Sequence, residues 1–235
     1  SFWGYTFAGV WQEDDVNAPF VDANGQTNGK TNGEVYKVKP GNSKYVDVNK
    51  DGVYNDADQG IIGCGQPTFN WGWNNTFNYK NFDFSFFVVG FHGFDIYNAT
   101  HQMGYNLIKS QQMAGVTPMR ELLNRWTPTN TNTDIPGFVK GGTENKDFFS
   151  TRFVENGSFI KMKSITLGYT LPEATCRSLG INNLRVYASV QNPFHITKYS
   201  GLDPEATMGS PLVQGVDWGA YPNSRNYLIG LNFSF

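Results

Sequence analysis

One stretch of this 235-residue chain carries residue types and spacing that hold an ion: "DVNKDGVYNDAD", residues 47–58. Asp47, Asn49 and Asp51 stand at positions 1, 3 and 5 of a calcium-loop pattern, with Gly52 at position 6. Val53 offers a backbone carbonyl at position 7, Asn55 stands at 9 and Asp58 at 12. Calcium takes six to eight hard oxygens, and the glycine lets the loop turn sharply around the ion. The twelfth position is Asp rather than Glu, which shortens the reach and predicts a weaker or slightly contracted site. The same residues also suit an Asx-rich turn that holds no ion. The "QGIIG" that follows is too short for the exit helix of an EF-hand, so the expected role is to pin a loop rather than to sense an ion.

No other constellation points to chemistry. His92, His101 and His195 are dispersed, with no HxxxH or HExxH spacing. No GxSxG, P-loop or dinucleotide fingerprint occurs, so the chain is not expected to be an enzyme. Cys64 and Cys176 share no CxxC spacing, which argues against thiolate metal ligation and leaves a single disulfide open. Glu13, Asp14 and Asp15 read as a solvated acidic run. A net charge of −2 gives no ground for nucleic-acid binding.

The elements that must position the loop read as β-strands. Aromatic residues make up 16% of the chain and charged residues only 16%, against about 25% charged in ordinary soluble domains. Six segments alternate with period two: roughly Trp3–Trp11, Phe69–Tyr79, Phe82–Phe91, Phe159–Leu171, Leu184–Phe194 and Ser224–Phe235. Most are about ten residues long, the length a tilted strand needs to cross a bilayer. Rings collect near their ends, at Tyr79, Phe82, Tyr169, Phe194, Tyr227 and Phe235, as in an interfacial girdle. The connections alternate between short, as at Lys80 and Asn81, and long, which is the asymmetry of outer-membrane barrels. There is no signal peptide and no run of about 18 apolar residues. A helix is expected from Thr117 and Pro118 through "MRELLNRW", with Leu122, Leu123 and Trp126 as its apolar stripe. The pattern thus predicts an all-β, transmembrane antiparallel barrel, with lipid against the Phe233/Phe235 row. The competing reading is a soluble carbohydrate-binding β-sandwich with Trp11, Trp71 and Trp73 as sugar platforms.

Longer phrases carry a resemblance. "YVDVNKDGVYNDADQGIIG", "TFNWGWNNTFNYKNFDFSFFVVGFHGFDIYNAT", "LLNRWTPTNTNTDIP", "STRFVENGSFIKMKSITLGYTLP", "LRVYASVQNPFHITKYSGLDPE" and "NYLIGLNFSF" occur in that order. Together they resemble the C-terminal barrel segment of the SusC/RagA family of TonB-linked outer-membrane transporters. The resemblance implies that residues 1–235 supply about six strands of a 22-stranded barrel, with the plug domain and the TonB-contacting region absent from this chain. It implies a SusD-like surface lipoprotein over the mouth and import of oligosaccharides or peptides across the outer membrane of a Bacteroidota-type cell. Asn74, Thr76, Asp83, Ser85, Arg185, Tyr187 and Gln191 would face the lumen and line a substrate path, or else solvate the wall or meet the plug. A receptor or adhesin of the outer membrane that transports nothing is the remaining alternative.

Overall fold

The alternating stretches become strands because alternate side chains in an extended chain point to opposite faces. The computed structural model describes residues 1–105, 119–137, 148–178, 180–208 and 214–234. The chain begins β1 (Phe2–Tyr5), β2 (Phe7–Val10), α1 (Glu13–Asn17), β3 (Pro19–Val21), β4 (Thr27–Thr31), α2 (Asn32–Tyr36), β5 (Ser43–Tyr45) and β6 (Gln59–Gly63). It continues β7 (Phe69–Tyr79), β8 (Phe82–His92), β9 (Asp95–Asn98), α3 (Ala99–Tyr105), β10 (Val154–Asn156) and β11 (Phe159–Thr170). It closes with α4 (Glu173–Ser178), β12 (Asn183–Thr197), β13 (Val216–Asp217) and β14 (Asn226–Ser234). These elements form two units. One comprises residues 1–64, 97–154 and 216–219, the other residues 65–96, 155–215 and 220–235.

The second unit is built on one antiparallel sheet in the order β14-β12-β11-β8-β7. Its strands are 11, 11, 12, 15 and 9 residues long in chain order, enough to span a bilayer when tilted. Registered partners share a face. The row Phe77, Phe84, Leu167, Ala188 and Ile229 is apolar, and the adjacent row Thr76, Ser85, Thr166, Ser189 and Leu228 lies on the other face and is polar except for Leu228. Phe77 is 54% exposed, Leu231 60% and Phe233 59%, so the apolar face has no protein layer of this unit over it. Tyr79 and Phe82 pair at the short-turn end, with the Phe82 and Tyr169 rings 4.7 Å apart. The sheet is open, with β7 and β14 as its edges.

Two local devices shape the sheet. At the β7–β8 turn Lys80 takes φ 52°. Asn81 then bonds β11 twice: its Nδ2 donates to the Thr170 carbonyl at 2.7 Å, and its carbonyl accepts from Thr170 N–H at 2.8 Å. A bulge between Met162 and Ser164 leaves Lys163 unpaired on β11. Beside the sheet, Phe94, Ile96, Phe159 and Tyr199 form a buried cluster, with Phe91 against it.

The first unit consists of short ribbons, β1 with β6, β2 with β5 and β3 with β4, around a core of Phe2, Tyr97, Ala99 and Phe153. Here the sequence reading needs correction. The stretch Trp3–Trp11 is not one wall strand but two short strands, and neither joins the five-stranded sheet. Gly9 at φ 112° breaks its ladder where β2 shifts register on β5. Residues 119–126 form a short 3-10 turn, Arg120–Asn124, rather than an α-helix. Leu122 is buried but Leu123 is 79% exposed, so the expected stripe is not a face. Trp126 is drawn away by tertiary bonds: its N–H donates to the Ile135 carbonyl at 2.8 Å and its indole Nε1 to Gln12 Oε1 at 2.9 Å. The Thr117–Pro118 cap and the terminal Phe235 lie outside the described residues. No disulfide joins Cys64 and Cys176.

Candidate functional site: an oxygen-rich loop and a polar strand face

The loop at residues 47–58 turns sharply at Lys50 and Gly52. Lys50 at φ 55° and Gly52 at φ 83° occupy left-handed backbone, and Gly52 does so at no Cβ penalty. Asp51 is the hub: its Oδ2 accepts from Asn49 Nδ2 at 2.9 Å and Asn55 Nδ2 at 3.0 Å, and its Oδ1 from Val53 N–H at 2.8 Å. Asn55 Nδ2 also reaches the Val53 carbonyl at 3.2 Å. The bond from Asn49, then that from Val53, holds the Asp51 carboxyl below the usual carboxylate range. Asp47 Oδ2 accepts from Gly52 N–H and Tyr36 O–H, both at 2.8 Å, while Asp47 Oδ1 is buried without a hydrogen-bond partner. Burial, then the bond to Asp47, raises the Tyr36 phenol far above its ordinary value.

The donor set is therefore two carboxylates, Asp47 and Asp51, with the Asn49 and Asn55 amides and the Val53 carbonyl around Asp51. Asp58 plays a different part. It is 2% exposed, and its two oxygens accept Val48 N–H at 2.8 Å and Asn55 N–H at 3.0 Å, so it braces the loop closure. Among the described residues no three His, Cys, Asp or Glu converge. The residues fit a hard cation. A buried oxygen without a donor is what a cation would satisfy, whereas the Asn49 and Asn55 side-chain oxygens accept Asp51 N–H at 3.0 Å and Ala57 N–H at 2.8 Å.

The polar face of the sheet gathers the other expected residues. Asp83, Arg185 and Tyr187 come together: Arg185 Nε donates to Asp83 Oδ1 at 2.8 Å, Nη2 donates to Oδ2 at 2.5 Å, and the guanidinium lies 5.0 Å from the Tyr187 ring centre. Both side chains cross over neighbouring strands at glycines. A Cβ on Gly168 would overlap the Asp83–Arg185 pair, and one on Gly230 would overlap Tyr187. Thr76 sits opposite Ser85 and Asn74 opposite Phe87. Gln191 Oε1 accepts from Asn226 Nδ2 at 3.4 Å. Of the proposed sugar platforms, Trp11 is 3% exposed and cannot serve, and Trp71 donates its indole N–H to His92 Nε2 at 3.1 Å; Trp73 is 54% exposed on the apolar face.

Sequence reasoning missed a buried ionic cluster at the other end of this face. Lys161 Nζ lies 2.8 Å from Asp203 Oδ2 and 2.7 Å from Glu205 Oε2, with Lys161 and Asp203 side chains each 3% exposed. Lys163, the bulged residue, pairs with Glu205. Asn223 ties in a second segment, donating N–H to Asp203 at 3.2 Å and Nδ2 to Glu205 at 2.9 Å. Burial alone raises Asp203 and Glu205, but the bonds from Lys161 and their other donors win and hold both below the ordinary carboxylate range. The signal available was "KMK" in an alternating strand; no local spacing pairs it with residues some 40 positions on.

No family model matches the chain. It is 34% identical over 241 aligned residues to TonB-dependent receptor P3 of Formosa agariphila, covering 100% of this chain and 22% of that protein. It is 32% identical over 199 residues to TonB-dependent receptor SusC of Bacteroides thetaiotaomicron, covering 84% of this chain and 18% of SusC. In structure it matches the RagAB peptide transporter with a TM-score of 0.72 at 24% identity, covering 100% of this chain and 22% of that one. The chain spans about a fifth of the length of the curated relatives it matches. It is homologous to TonB-dependent receptors, which are outer-membrane β-barrel proteins and not enzymes. Within that class it is a SusC/RagA-like segment, and its open sheet is part of a barrel wall.

Proposed function

We propose that the whole protein imports an oligosaccharide across the outer membrane by a TonB-dependent route, with a SusD-like lipoprotein over its mouth. Residues 1–235 are the C-terminal part of its barrel, and the plug and TonB-contacting region lie elsewhere in the protein. Asn74, Thr76, Asp83, Arg185, Tyr187 and Gln191 line the path, and lipid wets the opposite row.

The observation that carries a glycan rather than a charged peptide is the charge state of the strands. Histidines aside, the charged residues of the five sheet strands are Asp83, Lys161, Lys163 and Arg185, and each is closed in an ion pair. The rest of that face combines hydroxyls and amides, as in the Thr166–Ser189 pair at 2.8 Å, with the apolar Phe87, Val89 and Leu228. Groups that both donate and accept suit neutral polyols. The peptide named for the RagAB neighbours is the second reading. Deleting the gene tests both: uptake of labelled neutral oligosaccharide falls on the first reading, uptake of labelled peptide on the second. Unchanged uptake of both would leave a receptor or adhesin.

We further propose that calcium occupies the 47–58 loop as a structural ion, held by Asp47, Asn49, Asp51, the Val53 carbonyl and Asn55, with Asp58 fixing the closure. The orphaned Asp47 Oδ1 supports it.

A further inference from the structure

β12 and β14 are neighbours in the sheet, so a short hairpin would join them. The connection from Thr197 to Asn226 is instead far longer than the roughly 12–15 residues beyond which a loop with little structure of its own is uncommon unless it serves a function. Its described residues do not stand away from the sheet. Tyr199 packs with Phe94 and Phe159, and Asp203 and Glu205 close on Lys161 of β11. The Gln214 backbone comes so near Gly65, ahead of β7, that a Cβ there would overlap the Gln214 carbonyl. Gly215 N–H donates to the Thr207 carbonyl at 3.1 Å, which ties the outgoing run to the returning one. Asn223, on the way back to β14, bonds Asp203 and Glu205. The connection thus runs from β12 past β11 to the entry of β7 at one edge of the sheet, and back to β14 at the other.

The face it covers is the polar one. The registered partners Lys161 and Val89 lie on that face. They are 2% and 9% exposed, whereas Phe87, the next residue of β8 on the same face, is 37% exposed. The cover therefore ends between Val89 and Phe87, at the end of the sheet away from the Tyr79–Phe82 turn. We infer that this connection is a fixed shelf on the lumen wall, and that its reach over β11 and β8 limits the size of cargo entering the path. This rests on the reading above in which the polar face lines the path. A segment lying on that wall takes up cross-section, and the free diameter of a pore is one determinant of what passes. Lys161 fixes the shelf, because a buried charge that loses its partners is strongly destabilised. Lys163 adds a second hold on Glu205.

The test uses the full-length receptor on intact cells supplied with labelled neutral oligosaccharides of increasing length. Two variants break the anchor from opposite sides, Lys161→Met and the pair Asp203→Asn with Glu205→Gln. Where gel migration shows that neither assembles, Asn223→Ala, which frees only the returning run, takes their place. In each assembled variant the ratio of long-chain to short-chain uptake rises above that of the wild type. In a Cys64→Ser background, a thiol introduced by Val89→Cys is shielded from an impermeant maleimide while the anchor is intact and reacts once it is broken. A Val89→Cys thiol that reacts with the anchor intact shows the path face uncovered and overturns the shelf. An unchanged length ratio in a variant whose Val89→Cys thiol has become reactive overturns it too, and leaves the glycan reading standing. If the wild type takes up peptides and no oligosaccharide, the glycan reading falls, and the same ratio measured with short and long peptides decides the shelf.

Discussion

Arg185 on β12 grips Asp83 on β8 across the whole width of β11, and the fork passes directly over Gly168. Three consecutive strands are thereby tied by side chains as well as by their ladders. Gly168→Val puts branched carbon where the fork lies. Overpacking of this kind costs about 1–3 kcal/mol, so the urea midpoint of the refolded receptor should fall. Thr166→Val, two residues along the same face, should shift it by less than half as much. Equal midpoints for wild type and Gly168→Val would show the fork to be incidental.

The anchor around Lys161 should weaken in acid. Asp203 and Glu205 have folded values below their ordinary ones. Their contribution is therefore present above the ordinary carboxylate range and is lost as pH falls through the depressed folded values, below about pH 4. Hydrogen exchange, normalised for intrinsic rate, should show residues 203–207 and 221–226 losing protection between pH 5 and pH 3. The β11 and β12 ladders should keep theirs. Protection of these segments that rises as pH falls below the ordinary carboxylate range would contradict the sign.

Calcium should stabilise the protein through the 47–58 loop. An ion bound only by the folded state at a hundred times its Kd adds about 2.7 kcal/mol. Asp51→Ala should abolish the calcium-dependent rise in Tm and loosen residues 47–58, and chelation of the wild type should reproduce both. An Asp58→Asn change should destabilise the loop with or without calcium, because both of its oxygens serve backbone amides. Insensitivity of the wild type to chelator would leave an Asx-rich turn.

The two faces of β11 should respond differently to the same substitution. Ile165→Arg places a cation on the apolar row, where a midplane charge costs about 2–4 kcal/mol. Thr166→Arg places it on the polar row. Heat-modifiable migration on gels should report poor assembly for the first and near-normal assembly for the second. The reverse order would mean that lipid wets the other face.

The five sheet strands were legible because one apolar and one polar face impose alternation over nine residues or more. Phe69–Tyr79 is found where the pattern placed it. Trp3–Trp11 shows the limit: its alternation is real, but Phe2 and Tyr5 are buried in a core of mixed ribbons, and Gly9 interrupts the run. The tight turn at residues 47–58 was legible because its Asx and Gly spacing is local. The Lys161 cluster was not, since the bulge at Lys163 and the partners at residues 203, 205 and 223 come together only through tertiary folding.

Among the described residues, β7 and β14 each carry one row of amides and carbonyls with no strand beside it. In hydrocarbon every such group left bare costs several kcal/mol, and a flat edge is a template for the next chain. These 235 residues expressed by themselves should therefore associate edge to edge and pellet on centrifugation; a monomer that stays in the supernatant without detergent would count against it.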